Sequence, residues 1–239
     1  MFSLTFNDGK VVDVKIDPVV SSSGETRTNP ASGEGLRAYG GEAGDSRVAR
    51  RRATLIDAAL ELLGASDGGS ITVRGVCREA GLTTRYFYES FDSIEALVGA
   101  TFDEVTAELS KDALAAFEAG TDVPGKVTAA IAAIVRVIDE DRRKGRLLFS
   151  QSLLSPTIAT KRMESTALFA GLTLQTASGV MDVKAGPMAL AAAHFQVGGL
   201  GRLLAAWLDG LLELDPDGVV EASVGLIMSV AEGVSRFGS

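Results

Sequence analysis

The stretch Ile71–Leu97, ITVRGVCREAGLTTRYFYESFDSIEAL, decides the fold. It reads as a short helix, a turn, a second short helix and the start of a long one. Thr72 is placed to cap a helix over about 73–80, and Gly81 ends it, because a chain leaving a helix this way needs the positive φ that glycine supplies at least cost. Thr83 is placed to cap a second helix over about 84–90. Asp92 opens D-S-I-E, similar to a capping box with Asp in place of Ser or Thr. Two helices on such a turn make a helix-turn-helix, whose second helix lies in the major groove of DNA and reads bases with its N-terminal residues. Those residues are Thr83, Thr84, Arg85 and Tyr86, whose hydroxyls, guanidinium and phenol suit phosphates and base edges. Phe87 and Phe91, four apart, anchor the helix inward.

Outward from this unit the chain reads as helical. Ile56, Ala59, Leu60 and Leu63 mark one buried face of a first helix over 47–64, at the i, i+3, i+4, i+7 spacing. Leu97, Val98, Phe102, Val105 and Leu109 stripe a long helix that runs to about Ala119. A fifth helix starts near Pro124 and a sixth covers about 141–154. Ser155-Pro156, Gly186-Pro187 and Asp215-Pro216 each place a proline at the first helical position and open three more. The eighth carries Leu190, Ala193, Val197, Leu200, Leu204, Trp207 and Leu211; the ninth carries Val220, Val224, Ile227, Ala231 and Val234. The fold class is therefore all-α, with about nine helices.

Residues 1–46 read differently. FSLTFNDGKVVDVKI alternates like two strands around Asn7-Asp8-Gly9, and a three-residue loop there pairs Leu4 with Val12. Residues 18–46 have the Ser, Gly, Glu and Pro composition of a linker. The expectation for 1–46 is an extension without fixed structure, or one with a β-hairpin over 2–16.

Composition narrows the function. The chain has 239 residues, 46% hydrophobic and 23% charged, which fits a globular protein. No apolar run approaches the roughly 20 residues of a membrane span, no signal-peptide core is visible, and the single Cys77 cannot form an intramolecular disulfide. A cytoplasmic protein is expected. Net charge is −8, which argues against indiscriminate coating of nucleic acid. Residues 45–92, however, carry seven basic and seven acidic side chains, and all seven basic ones are arginines. Arg50, Arg51 and Arg52 lie near a helix N-terminus, where positive charge opposes the dipole, so phosphate contact accounts for them better than stability does. One histidine and one cysteine without partners support neither a metal site nor a nucleophile–base pair. No enzyme activity, cofactor or metal is expected.

Residues 47–108 resemble the TetR family of bacterial transcriptional repressors. The resemblance rests on DAALELL in the first helix, Thr72-Val73-Arg74, the Ala80-Gly81-Leu82-Thr83 turn and the Phe87-Tyr88-Glu89-Ser90-Phe91 close. Ser90 and Ile94 depart from the family's usual residues, a bulky polar residue and a lysine. The resemblance implies a helix-turn-helix domain over 47–108, with its motif at about 73–92. It also implies a helical ligand-binding and dimerisation domain over 120–239, a homodimer, operator DNA as partner, and release by a small, largely apolar effector. On this reading Thr83, Thr84, Arg85 and Tyr86 contact bases and phosphates. Thr72, Arg74, Tyr88 and Arg50–Arg52 position the DNA backbone. Arg146, Gln151, His194 and Gln196 are candidates for the pocket. Leu200, Leu204, Trp207, Val224, Ile227 and Ala231 are candidates for the dimer seam. The alternative is a helical dimeric scaffold that senses a protein partner, its DNA binding weakened at Ser90 and Ile94.

Overall fold

The computed structural model describes residues 2–7, 10–16, 41–65, 71–150, 155–180 and 186–237. Two strands, β1 (Phe2–Asn7) and β2 (Lys10–Ile16), pair antiparallel. Their register differs from the expected one. Leu4 pairs with Val14 and Asn7 with Lys10, with a shift between Thr5 and Phe6. Only two residues separate the closing pair, and the shift leaves Val12 as the extra residue of a bulge.

Nine helices follow among the described residues: α1 (Gly41–Gly64), α2 (Val73–Glu79), α3 (Thr84–Tyr88), α4 (Ile94–Ala119), α5 (Val123–Glu140), α6 (Arg142–Phe149), α7 (Pro156–Val180), α8 (Pro187–Leu208) and α9 (Pro216–Phe237). α1 begins six residues before the expected Arg47, so residues 41–46 are helix rather than linker. The rest of the expected linker, 18–40, lies outside the described residues. α6 ends at Phe149, and residues 151–154 also lie outside.

Side-chain caps fix most helix starts. Thr72 Oγ1 accepts from the Gly75 amide at 3.1 Å, Asp122 from Gly125 at 2.8 Å and Asp215 from Gly218 at 2.8 Å. Two expected caps differ. Ser93, not Asp92, precedes α4 in extended conformation and accepts from the Ala96 amide at 3.1 Å. Thr83 holds the cap position of α3 without a side-chain bond.

A five-residue helix such as α3 has no stability of its own. It is held because Phe87, on its inner face, is wholly buried, and Phe91 just beyond is nearly so. Burial of each contributes about 1.5–3 kcal/mol. They join Leu55, Ala59 and Leu63 of α1, Val76 and Cys77 of α2, and Leu97 and Phe102 of α4. The same core runs on through Val105 to Val135 and Ile138 of α5, Leu147 of α6, Ile158 of α7, Leu204 and Trp207 of α8 and Val219 of α9. α4, about 40 Å long at 1.5 Å per residue, thus belongs to both ends of the molecule.

α6 ties these ends together. Arg143 Nη1 lies 2.6 Å from Glu61 of α1, and its Nη2 lies 2.8 Å from Asp141. The hydrogen bonds from Arg143 hold the Asp141 carboxyl below the usual carboxylate range. Arg146 Nη1 donates to the Gly64 carbonyl at 3.2 Å, and Lys144 pairs with Glu108 of α4 at 2.7 Å. The Arg142 guanidinium sits 5.1 Å from the centre of the Trp207 ring on α8. α1 and α6 approach so closely that a Cβ on Gly64 would stand 2.6 Å from Arg143 Cα and 2.9 Å from its carbonyl oxygen. Backbone cannot move aside as a flexible side chain would. Gly64→Ala is therefore expected to lower stability by about 1–3 kcal/mol, although alanine is intrinsically the better helix former. Urea unfolding of the two proteins measures the difference.

Candidate nucleic-acid interface

α2 and α3 are joined at Gly81, whose φ of +64° lies in the left-handed region. The Leu82 amide donates to the Cys77 carbonyl at 2.9 Å and closes the turn. With Phe87 fixed inward, helical geometry turns Thr83, Thr84 and Arg85 to the outside, and all three are exposed. Thr83 has no cap bond to satisfy. Thr72 and Arg74, at the start of α2, are exposed beside them. Tyr88 is 61% exposed, its ring edge-on to Phe87 at 5.3 Å between centroids, so it is held by the core yet presented outside it.

The three consecutive arginines of α1 do different work. Arg50 is exposed, and its side chain has no polar partner among the described residues. Arg51 stacks over the Tyr86 ring at 4.4 Å and pairs with Glu89 at 3.4 Å. Arg52 donates to the Ser90 carbonyl at 3.2 Å and stacks over Phe91 at 4.2 Å. Arg51 and Arg52 therefore brace α1 against α3, with the sequence offering no sign of the division. Tyr86 is correspondingly half-buried beneath Arg51 rather than fully presented. Arg85 is the most outward cation of α3, with its side chain 84% exposed, and it pairs with Glu89 at 3.0 Å. Glu89 thus holds two arginines, and Arg85 must leave it to engage anything else.

The two departures from the resembled pattern are accommodated locally. Ser90 Oγ donates to the Tyr86 carbonyl at 3.1 Å, and Ile94 packs against the core.

The pocket candidates are not brought together. Arg146 reaches the end of α1, His194 is exposed on α8, and Gln196 Nε2 donates to the Ile227 carbonyl of α9 at 3.0 Å. Gln151 lies outside the described residues. None of the three described candidates borders the open groove of about 460 Å³ between α4 and α5. That groove is lined by alanines, with Asp112 and Arg136 paired across it at 2.9 Å. Sequence reasoning passed over Arg162 of α7, which repeats at four-residue spacing with the fully buried Ile158 and, two steps on, Ala170. A charged residue in an inward row was the available signal.

The seam candidates also divide. Leu204 and Trp207 are buried within their own chain, because that face of α8 meets the core, and Trp207 Nε1 donates to the Leu214 carbonyl at 3.0 Å. They therefore offer little surface to another molecule. Leu200, Val224, Ile227 and Ala231 are half-buried. The large apolar side chains exposed on α8 and α9 are Met188, Leu190, Phe195 and Leu226, at 52%, 43%, 68% and 62% exposure, Leu190 despite its place on the expected core stripe. Phe195 and Leu226 fall off the stripes that face the core.

Among the described residues, no three His, Cys, Asp or Glu side chains are grouped to hold a metal ion. Among them also, no helix is long and apolar enough to cross a membrane.

Residues 55–101 match the family model described as bacterial regulatory proteins, tetR family. No curated protein matches the chain. Solved structures share the fold. A TetR family transcription regulator from Marinobacter aquaeolei VT8 is 18% identical, with a TM-score of 0.58 over 78% of this chain and 97% of that one. FadR from Bacillus subtilis in complex with stearoyl-CoA is 15% identical, with a TM-score of 0.59 over 74% and 98%. NalD, the secondary repressor of the MexAB-OprM multidrug efflux pump in Pseudomonas aeruginosa, is 18% identical, with a TM-score of 0.54 over 77% and 96%.

The division among the arginines is testable without DNA. Arg52→Ala removes a bond to a carbonyl and a ring contact, and is expected to lower stability by about 1 kcal/mol. Arg50→Ala is expected to stay within about 0.5 kcal/mol of the parent. Denaturant midpoints of the two variants decide it.

Proposed function

We propose, from residues 55–101 that match the tetR family model and a fold shared with a solved TetR family regulator, that this protein is a homodimeric transcriptional repressor released from its operator by a small molecule. Residues 47–108 bind DNA in this reading, residues 120–239 bind the effector and form the dimer, and residues 1–46 are an extension. The observation that carries it is the presentation of Thr83, Thr84 and Arg85 on an exposed face whose other side is pinned by the buried Phe87. A short helix fixed in this way offers a rigid set of donors to a groove. Arg85 reads a base or phosphate after leaving Glu89. Arg50, Arg74, Thr72 and Tyr88 set the register on the backbone, while Arg51 holds Tyr86 in place. The repressor named among the structural neighbours and the acyl-CoA held by another support repression and a small effector. DNA as partner puts the protein in the cytoplasm.

Dimer symmetry places two α3 helices about 34–36 Å apart on a near-palindromic site. The seam in this reading is the outward face of α8 and α9, with Phe195 and Leu226 as its large apolar residues. Gly198, Gly199 and Gly225 lie on the same helices, and a Cβ added to any of them meets nothing within 4 Å. Bare backbone of this kind lets two helices approach closely.

Recovery of genomic DNA bound to the protein, followed by gel shifts on the enriched fragments, tests the reading. Affinity is expected to fall steeply between about 50 and 200 mM salt, as counterion release requires. Arg85→Ala is expected to weaken specific binding by about 1–3 kcal/mol with the dimer intact. Unchanged affinity removes Arg85 from the interface, and no enriched DNA at all favours the scaffold alternative. Phe195→Glu is expected to give a folded monomer in sedimentation at micromolar concentration; an intact dimer moves the seam elsewhere.

A further inference from the structure

α7 directs a row of residues spaced by four, Ile158, Arg162, Thr166 and Ala170, toward the interior. Ile158 and Ala170 are fully buried, Arg162 and Thr166 half-buried. A guanidinium in such a row is costly unless it is paired. The Arg162 Nη2 donates to the Leu147 carbonyl at 2.8 Å and touches the Arg146 carbonyl at 3.4 Å, both in the last turn of α6. Its Nε is buried and has no partner among the described residues. Burial lowers its pKa, so the charged form is held at a disadvantage.

The carboxylates that α4 contributes to ion pairs with α6 and α7 are already committed. Asp103 takes Lys161 at 2.8 Å, and Glu108 takes Lys144 at 2.7 Å. Glu164, on α7 itself, is exposed. Arg162 therefore has no carboxylate among the described residues, unlike Arg136, Arg142 and Arg143, which each have at least one. The edge of the fork that the carbonyls do not use, its Nε buried, has no acceptor among the described residues.

We infer that Arg162 is the anchor of the effector and takes a carboxylate carried on an apolar body. This rests on the proposed reading of the helical half as an effector domain. A planar fork matches a carboxylate in two-point geometry. A partly desolvated site bordered by the carbonyl end of α6 favours one weakly hydrated negative charge over a dianion, which loses more hydration and faces the carbonyl oxygens. The apolar body suits the company of Leu147, Leu148 and Ile158, all buried. An anion that draws the guanidinium off the Leu147 and Arg146 carbonyls loosens the end of α6. α6 is the helix that Arg143 and Arg146 tie to Glu61 and Gly64 of α1, so the event is felt where the DNA-binding helices begin.

The test uses the full chain and its single tryptophan, Trp207, whose ring carries Arg142 of α6. Straight-chain carboxylates from butanoate to hexadecanoate are titrated by tryptophan fluorescence and calorimetry, beside the amide of each and inorganic phosphate. At least one acid is expected to bind saturably with one site per chain. Its amide is expected to bind at least tenfold more weakly, and phosphate is not expected to compete. Arg162→Met is expected to lose at least tenfold in affinity for the acid while remaining folded, since it gives up two carbonyl bonds but also a half-buried charge without a carboxylate. Arg162→Lys, which keeps the charge and loses the fork, serves if the first variant does not fold, and the same loss is expected. The inference is overturned if no acid binds the parent, if amide or phosphate binds equally well, or if the Arg162 variants keep their affinity. Gel shifts on recovered DNA run separately. DNA binding without acid binding sinks this inference alone, and acid binding without DNA binding sinks the regulatory reading while leaving the anion site.

Discussion

The docking of α6 on the end of α1 is the contact on which the rest of the arrangement depends. α6 has eight residues and cannot hold itself together in isolation. Successive cations on it reach different neighbours: Arg142 to Trp207 of α8, Arg143 to Glu61 of α1, Lys144 to Glu108 of α4 and Arg146 to the carbonyl of Gly64. Leu147 of the same helix is fully buried. The absence of a side chain at Gly64 lets the two helices meet at backbone distance. Individually these partly exposed pairs contribute little. Together they give a single short helix a fixed position with respect to three others, so that displacing it is felt by all of them.

The end that carries α2 and α3 follows a similar economy. α3 is too short to be stable and is shaped from outside by Phe87 and Phe91 below and by Arg51 and Arg52 beside it. This bracing leaves few outward cations on that face, and the chain's net charge is −8. In the proposed reading, specific contact with DNA therefore depends on placement rather than on bulk charge. Glu89 sharpens this, because it neutralises Arg85 in the free protein while also holding Arg51.

Much of this was legible in the sequence. The stripes of the first, fourth, eighth and ninth helices, the prolines at 156, 187 and 216 and the glycine at 81 placed the elements to within a few residues. Where boundaries slipped, the cause was local. Ser93 outcompeted Asp92 as cap because it directly precedes the helix and its hydroxyl reaches the Ala96 amide. α1 started earlier, in a segment whose Gly and Ser content reads as linker. The strand register moved because a bulge is invisible to simple alternation.

What the sequence determined by itself was periodicity: which residues lie on the apolar side of each helix, where each helix starts, and that Thr83, Thr84 and Arg85 face away from Phe87. These follow from 3.6 residues per turn and from capping chemistry, which act over a few residues. What only the tertiary structure decided was the employment of each polar side chain. Three adjacent arginines look alike in a sequence, yet one has no polar partner among the described residues and two are braces, because the braces' partners lie some 35 to 40 positions away on α3 and in the turn after it. Leu204 and Trp207 read as seam residues until α8 was placed against the core, and nothing drew out Arg162 until the inner face of α7 was known. Such assignments depend on which chemistry a distant helix brings within about 3 Å, and no local spacing encodes that.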